Sequence, residues 1–185
     1  MNSFFWIFNN VVSPNKCKEY INLAGDNFHK AGVGGDEMLD TGSIDEDTRK
    51  TNIFWSDHKE LFQLATKYGQ IANKEAGWNL DVKGIESFQI GQYPLGGHYT
   101  WHPDCSGMTV NDENLARKIS MVLWLNDDFE GGEFQFHKCY TNENTIKPSI
   151  GTIAFFPSWV VHRVKPVTKG VRYSAVSWLL GKPII

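Results

Sequence analysis

The amino-acid sequence predicts a mainly β fold with flanking helices, an α+β arrangement in which a sandwich or barrel carries two helices on its outside. Three observations lead there. From about residue 82 onward, short apolar runs are punctuated by Gly, Pro, Asn and Asp, the pattern of many short strands joined by turns. The first half instead holds two stretches with apolar residues at helical spacing. The 185 residues suffice for one sizeable core, and neither an internal repeat nor a linker divides them. The expectation is one domain over residues 1–185, with 1–80 as helical support and lid loop and 82–181 as the β core.

The elements follow in chain order. Phe4 to Phe8 is a run of five apolar residues, without basic residues before it or a small-residue cleavage site after it, and reads as a strand rather than a signal peptide. Ser13-Pro14 is a cap followed by proline at the first helical position. Cys17, Tyr20, Ile21 and Ala24 continue it at helical spacing, and Gly25 can end it. A second helix starts near Asp57, carries Leu61, Leu64, Ala65, Tyr68 and Ile71 as its apolar stripe, and stops at Gly77. Between the helices, residues 31–55 are rich in Gly, Asp and Glu up to Arg49. They read equally as an acidic surface loop and as a lid over a substrate site. Strands are expected at 85–93, 98–102, 119–125, 132–137, 151–156, 159–165 and 171–180.

Composition narrows the function classes. The net charge of -3, with no basic tract, leaves no nucleic-acid footprint. Cys17, Cys105 and Cys139 are an odd, scattered set, which argues against a disulfide scaffold and for a reducing compartment. No stretch approaches the ~18 apolar residues of a spanning helix. A cytoplasmic protein without membrane or nucleic-acid partners is expected; the oligomeric state is open.

The stretch HYTWHPD, residues 98–104, holds the first chemical signal. Residues two apart on a strand face the same way, so His102 and Asp104 can reach one ion together, and Pro103 favours the extended backbone this needs. A third donor is His162, which alternation places on the face of Val160 and Val164, where a polar ring needs a partner. A core histidine bonded to a backbone carbonyl is the plain alternative. Arg172 is the other odd placement, sharing a strand face with Ser174, Val176 and Trp178. A guanidinium there needs an anion, either a nearby Asp or Glu or a ligand carboxylate held by two hydrogen bonds. Two histidines and one carboxylate around an ion with open positions suit non-haem Fe(II). Zinc with the same ligands would instead suit hydrolysis. Arg172 favours iron, because 2-oxoglutarate brings a distal carboxylate for it to hold.

With these residues in place, the chain resembles the 2-oxoglutarate/Fe(II) dioxygenases, and within them the prolyl 4-hydroxylase catalytic domain. The likeness covers roughly residues 47–180 and rests on HPD, on HRVKPVTKGVRYSAVSW and on RKISMVLWLNDDFEGGEFQF. It implies a double-stranded β-helix, that is, a cupin-like jelly roll, with the N-terminal helices packed outside. His102, Asp104 and His162 match the iron ligands, and Arg172 the residue that grips 2-oxoglutarate. Tyr93 and Tyr99 match tyrosines of the cosubstrate pocket, and Trp178 a tryptophan near the iron. Residues 47–51 are similar to a peptide-contacting loop, which makes Arg49 and Thr51 candidate substrate contacts. The implied activity is hydroxylation of a C–H bond, with peptidyl proline as substrate and Fe(II), 2-oxoglutarate and O2 as cofactors; ascorbate use is a further implication. Related halogenases lack the carboxylate that Asp104 supplies. Some relatives have tyrosine where Trp124 stands, and others lysine at Arg172, which blurs the sub-branch. A free amino acid or small metabolite as substrate, a nucleic-acid demethylase, a zinc hydrolase and a non-enzymatic cupin-like binder are the alternatives.

Overall fold

In the computed structural model, which describes residues 3–34, 43–105, 114–139, 145–146 and 148–183, helices and strands alternate early and strands dominate later. The order is β1 (Trp6–Phe8), α1 (Pro14–Asn22), β2 (His29–Lys30), β3 (Arg49–Lys50), β4 (Asn52–Ser56), α2 (Lys59–Glu75), β5 (Gly84–Ile85), β6 (Phe88–Tyr93) and β7 (His98–His102). There follow β8 (Ala116–Trp124), β9 (Glu130–Gly131), β10 (Phe134–Phe136), β11 (Thr145–Ile146), β12 (Ile153–Pro157), β13 (His162–Val164), β14 (Val167–Lys169) and β15 (Arg172–Gly181). The large sheet has the order β1-β12-β8-β15-β6-β4-β2, with β5 added against β15. A smaller sheet runs β11-β10-β13-β7-β3, and β14 pairs β9. The paired strands are antiparallel, and the two main sheets form a layered architecture of the jelly-roll type.

The large sheet is covered on both faces, which explains the apolar stretch from Met121 to Trp124 of β8. On its outer face, Ile119, Met121, Leu123, Phe155 and Leu179 pack with Leu61, Ala65 and Ala72 of α2 and with Cys17 and Tyr20 of α1. On its inner face, Val122, Trp124, Ala154, Phe156 and Tyr93 meet Phe134, Phe136 and Val164 of the small sheet and Val160. Each such fully buried side chain contributes about 1.5–3 kcal/mol relative to exposure. Gly69 sets how closely α2 can lie, because a Cβ there would stand 2.6 Å from Cδ2 of Leu179.

The expected start signal of α1 is present: the Ser13 side chain accepts from the Lys16 N–H. The helix expected to start near Asp57 begins at Lys59, and the Asp57 carboxylate accepts a bond from Ser87. Residues 1–80 are more than helical support, since β1 to β4 lie within them. Residues 49–50 and 52–56, at the end of the stretch expected to be a loop, are strands joined to β7 and β6. Residues 35–42, the middle of that loop, lie outside the described residues, so the lid expectation falls largely on them. The strand expected over 159–165 is shorter, because Ser158 to Val160 form a turn before β13. Among the described residues no helix is long and apolar enough to cross a membrane.

Candidate metal centre and cosubstrate pocket

His102 ends β7 and His162 begins β13, and the antiparallel register pairs the two directly. Asp104 follows two residues after His102, where its N–H donates to the Ser158 carbonyl at 2.8 Å. One ligand atom from each of His102, Asp104 and His162 lies within 4.8 Å of the other two, a cluster of the size that could hold an ion. The Nδ1–H of His102 donates to the Thr100 carbonyl at 2.8 Å, and that of His162 to the Val160 carbonyl at 2.9 Å. Both bonds fix the tautomer that leaves Nε2 with its lone pair free. Those Nε2 atoms stand 3.6 and 3.7 Å from the Asp104 oxygens, too far for hydrogen bonds. Two donors each about 2.1 Å from a common ion stand roughly 3–3.5 Å apart, close to this spacing.

Packing and electrostatics prepare these groups. Phe134 stacks on His162 at 5.1 Å and Phe156 meets its edge at 4.7 Å, while Tyr99 stacks on His102 at 3.5 Å. Burial, reinforced by His162, pushes His102 down to about 3, so its ring is neutral at physiological pH. Burial alone would raise the Asp104 carboxyl, but His162, His102 and the Ser120 hydroxyl outweigh it and hold the group below the usual carboxylate range. The His102 and His162 rings and the Asp104 carboxylate therefore face one another with Nε2 and oxygen donors inward, a set suited to a cation.

Arg172 opens β15 opposite Tyr93 of β6 and is 1% exposed. Its Nη1 donates to Ser174 at 3.1 Å, and its guanidinium lies 4.8 Å from the Tyr93 ring centre and 5.9 Å from that of Trp124. Its Nε is buried without a hydrogen-bond partner. No carboxylate lies within ion-pair distance among the described residues, so the alternative of an internal Asp or Glu partner is not met. Burial lowers its pKa against the opposing influence of Tyr93. An unpaired charge at such depth costs several kcal/mol, a cost that an anionic ligand would offset. Gly132 makes room beside it, since a Cβ there would approach the Arg172 Cδ at 3.1 Å.

The comparisons with known proteins agree with this geometry. Residues 88–180 match the family described as the 2OG-Fe(II) oxygenase superfamily. A PKHD-type hydroxylase of Colwellia psychrerythraea is 30% identical over 174 residues, covering 91% of this chain and 74% of that protein. This chain belongs to the 2OG-Fe(II) oxygenase superfamily. A PKHD-type hydroxylase of Synechococcus is 35% identical over 99 residues, 52% of this chain and 44% of its own length, so the match spans less than half of that relative. Two solved structures share the fold. A collagen prolyl hydroxylase of Paramecium bursaria chlorella virus 1, in complex with 2-oxoglutarate, superposes with a TM-score of 0.70 at 19% identity, covering 97% of each chain. A prolyl-4-hydroxylase of Pseudomonas putida gives 0.69 at 19% identity, covering 96% of this chain and 92% of its own.

The cofactors of this 2OG-Fe(II) oxygenase, Fe(II) and 2-oxoglutarate, fit the residues present. The nitrogen and carboxylate donors suit a ferrous ion, and the orphaned Arg172 Nε suits the distal carboxylate. Of the other sequence candidates, Tyr93 lies beside Arg172, and Tyr99 lies against His102. Trp178 is buried on the Arg172 face, where its neighbour across the sheet is Ser120. Arg49 and Thr51, the candidate substrate contacts, are both buried, because β3 and β4 draw this segment into the sheets. Arg49 donates to Gln89 at 2.5 Å and lies over the Tyr99 ring at 4.7 Å, while Thr51 donates to the His98 carbonyl at 3.4 Å. His98 has its ring nitrogens on the Gly96 and Asp47 carbonyls, and His137 pairs with Cys139; neither belongs to the metal cluster, nor does Cys105. His29 is exposed as expected, whereas His58 is half-buried with its ring against Tyr20. The sequence reading missed Ser120 and Ser158, both fully buried at the Asp104 carboxylate. The one available signal was that Ser120 alternates with Val122 and Trp124 on the inner face of β8.

Proposed function

We propose that this chain is an Fe(II)- and 2-oxoglutarate-dependent dioxygenase that hydroxylates a C–H bond, with peptidyl proline as the substrate class. The observation that carries the reading is the buried Arg172 guanidinium without a carboxylate partner among the described residues, near the Trp124 ring, which meets Phe134, which in turn stacks on His162. A zinc hydrolase has no need of this anion site, and the complete metal-ligand set argues against a barrel that has lost its chemistry.

His102 and His162 would hold the ferrous ion through Nε2, and Asp104 through a carboxylate oxygen, leaving positions for cosubstrate and O2. When bound, the ion supplies the redox chemistry by which O2 converts 2-oxoglutarate to succinate and CO2 and one oxygen atom enters the substrate C–H bond. Arg172, with Ser174 and Tyr93, orients the far carboxylate. Val122, Trp124 and Val164 belong to the inner core and would keep water away from these charges. Trp178 bounds the substrate side, and Arg49 supports it through Tyr99 and Gln89. The choice of proline draws on fold likeness to prolyl hydroxylases, including one from Trichoplax adhaerens solved with a hypoxia-inducible-factor peptide fragment, at a TM-score of 0.67 and 22% identity.

The test is turnover. Anaerobically purified protein is given Fe(II), ascorbate, labelled 2-oxoglutarate and a proline-rich peptide library, then air. Succinate release together with a peptide heavier by one oxygen at a prolyl residue is expected. Succinate driven only by free amino acids would move the substrate class. Absence of succinate with every pool would reject the enzyme.

A further inference from the structure

We propose that Ser158 and Ser120 form a two-hydroxyl relay that positions the Asp104 carboxylate for metal binding; this rests on the functional reading above. The Ser120 Oγ lies 2.5 Å from Oδ2 of Asp104 and 3.0 Å from the Ser158 Oγ. A serine hydroxyl has one proton. The shorter contact, to a charged acceptor, takes the Ser120 proton, so Ser158 must donate to Ser120. The relay runs in one direction, Ser158 to Ser120 to Asp104.

Its surroundings make it strong. Both serines are 0% exposed and the Asp104 side chain is 8% exposed, so water does not compete well. No other hydrogen-bond donor to this carboxylate is found among the described residues. The hydroxyl reserves a lone pair of Oδ2 and fixes the carboxylate plane. Oδ1 is left towards His102 Nε2, 3.6 Å away. The backbone reinforces the arrangement, because the Ser158 carbonyl accepts from the N–H groups of both Asp104 and Cys105, at 2.8 and 3.0 Å. One residue thus anchors the Asp104 main chain and begins the hydroxyl relay to its side chain. Ser120 and Ser158 are positioning residues: they act on the ion through Asp104.

Co(II) titration of the metal-free protein, followed by d–d absorption, tests this without turnover. Ser120→Ala should bind Co(II) about 10–100-fold more weakly, the usual cost of losing an outer partner of a metal ligand, and should shift the d–d bands. Ser158→Ala should weaken binding in the same direction by less, and Ser120→Thr, which keeps the hydroxyl, should retain the wild-type spectrum. Circular dichroism of each metal-free variant checks the fold. Ser120→Ala binding within twofold of wild type, or a Ser158→Ala variant indistinguishable from it, overturns the relay. Wild-type protein that takes up no Co(II) would overturn the metal reading itself, a different result from a relay that fails in a protein that binds.

Discussion

Replacing Arg172 with methionine should separate folding from cosubstrate binding. Methionine keeps an unbranched chain of similar reach in a position that is 1% exposed. The guanidinium donates to Ser174, a bond worth about 1.5–3 kcal/mol for a charged donor. The faces of Tyr93 and Trp124 add about 1–2 kcal/mol. Against these stands a desolvation cost of several kcal/mol. The terms nearly cancel, so Arg172→Met should leave stability unchanged within about 2 kcal/mol, or raise it. Binding should behave differently. Losing the partner of a buried carboxylate costs about 2–5 kcal/mol; taking ~3 kcal/mol, 2-oxoglutarate binds about 100-fold more weakly. The assay is thermal unfolding of Co(II)-loaded protein without O2, with and without 2-oxoglutarate. At a ligand concentration of about 100 Kd the wild type gains about 2.7 kcal/mol, or roughly 5–10 °C for a chain of this size. At the same concentration the variant sits near its own Kd and gains about 1 °C. A full ligand-induced shift in Arg172→Met would refute the assigned anchor, and a collapse of the unliganded protein would refute the cancellation.

Other consequences can be checked with simpler measurements. Asp104→Ala should abolish both hydroxylation and Co(II) uptake, and full activity in that variant would reject its role. Gly151→Ala should destabilise the chain by about 2–4 kcal/mol in a urea titration, because its φ is +78° and a Cβ would collide with the Val12 carbonyl; an unchanged midpoint would contradict the fold at that corner. Burial pushes the Cys17 thiol up to about 11, so iodoacetamide at pH 8 should label exposed Cys139 and spare Cys17 until the protein unfolds. Equal labelling of the two, read by mass spectrometry, would show that the α1 contact with the sheet is wrong.

The residues easiest to find in the sequence were those whose type conflicts with their periodicity. His162 among valines and Arg172 on an apolar strand both violate the alternation that places them inside, and the structure buries both. Tertiary pairing hid the rest. β3 spans two residues and its partner β7 lies almost fifty positions away, so Arg49-Lys50 carries no local strand signal and reads as loop. Its polar residues are tolerated because β3 pairs with β7 and the buried arginine donates to Gln89 and to the Gly32 carbonyl. Ser120 was legible as an inward residue but not as a partner of Asp104. That contact depends on the turn at Ser158, which periodicity does not encode.

Charge explains why such a site can exist between two apolar sheet faces. The protein alone carries a positive guanidinium at Arg172 and a carboxylate at Asp104, and the two do not form an ion pair. Each is buried and bonded to a serine hydroxyl, Arg172 donating to Ser174 and Ser120 donating to Asp104, and each keeps unused capacity. A divalent cation beside Asp104 alone would leave excess positive charge, and a dicarboxylate on Arg172 alone would leave excess negative charge. Together they bring the formal charge of the four groups to zero. In a low-dielectric interior that balance favours joint occupancy over either partner singly. Arg172 is fixed on β15 of the large sheet by its register with β6, and Asp104, which follows β7 of the small sheet, is tied to the large one through Ser120 of β8.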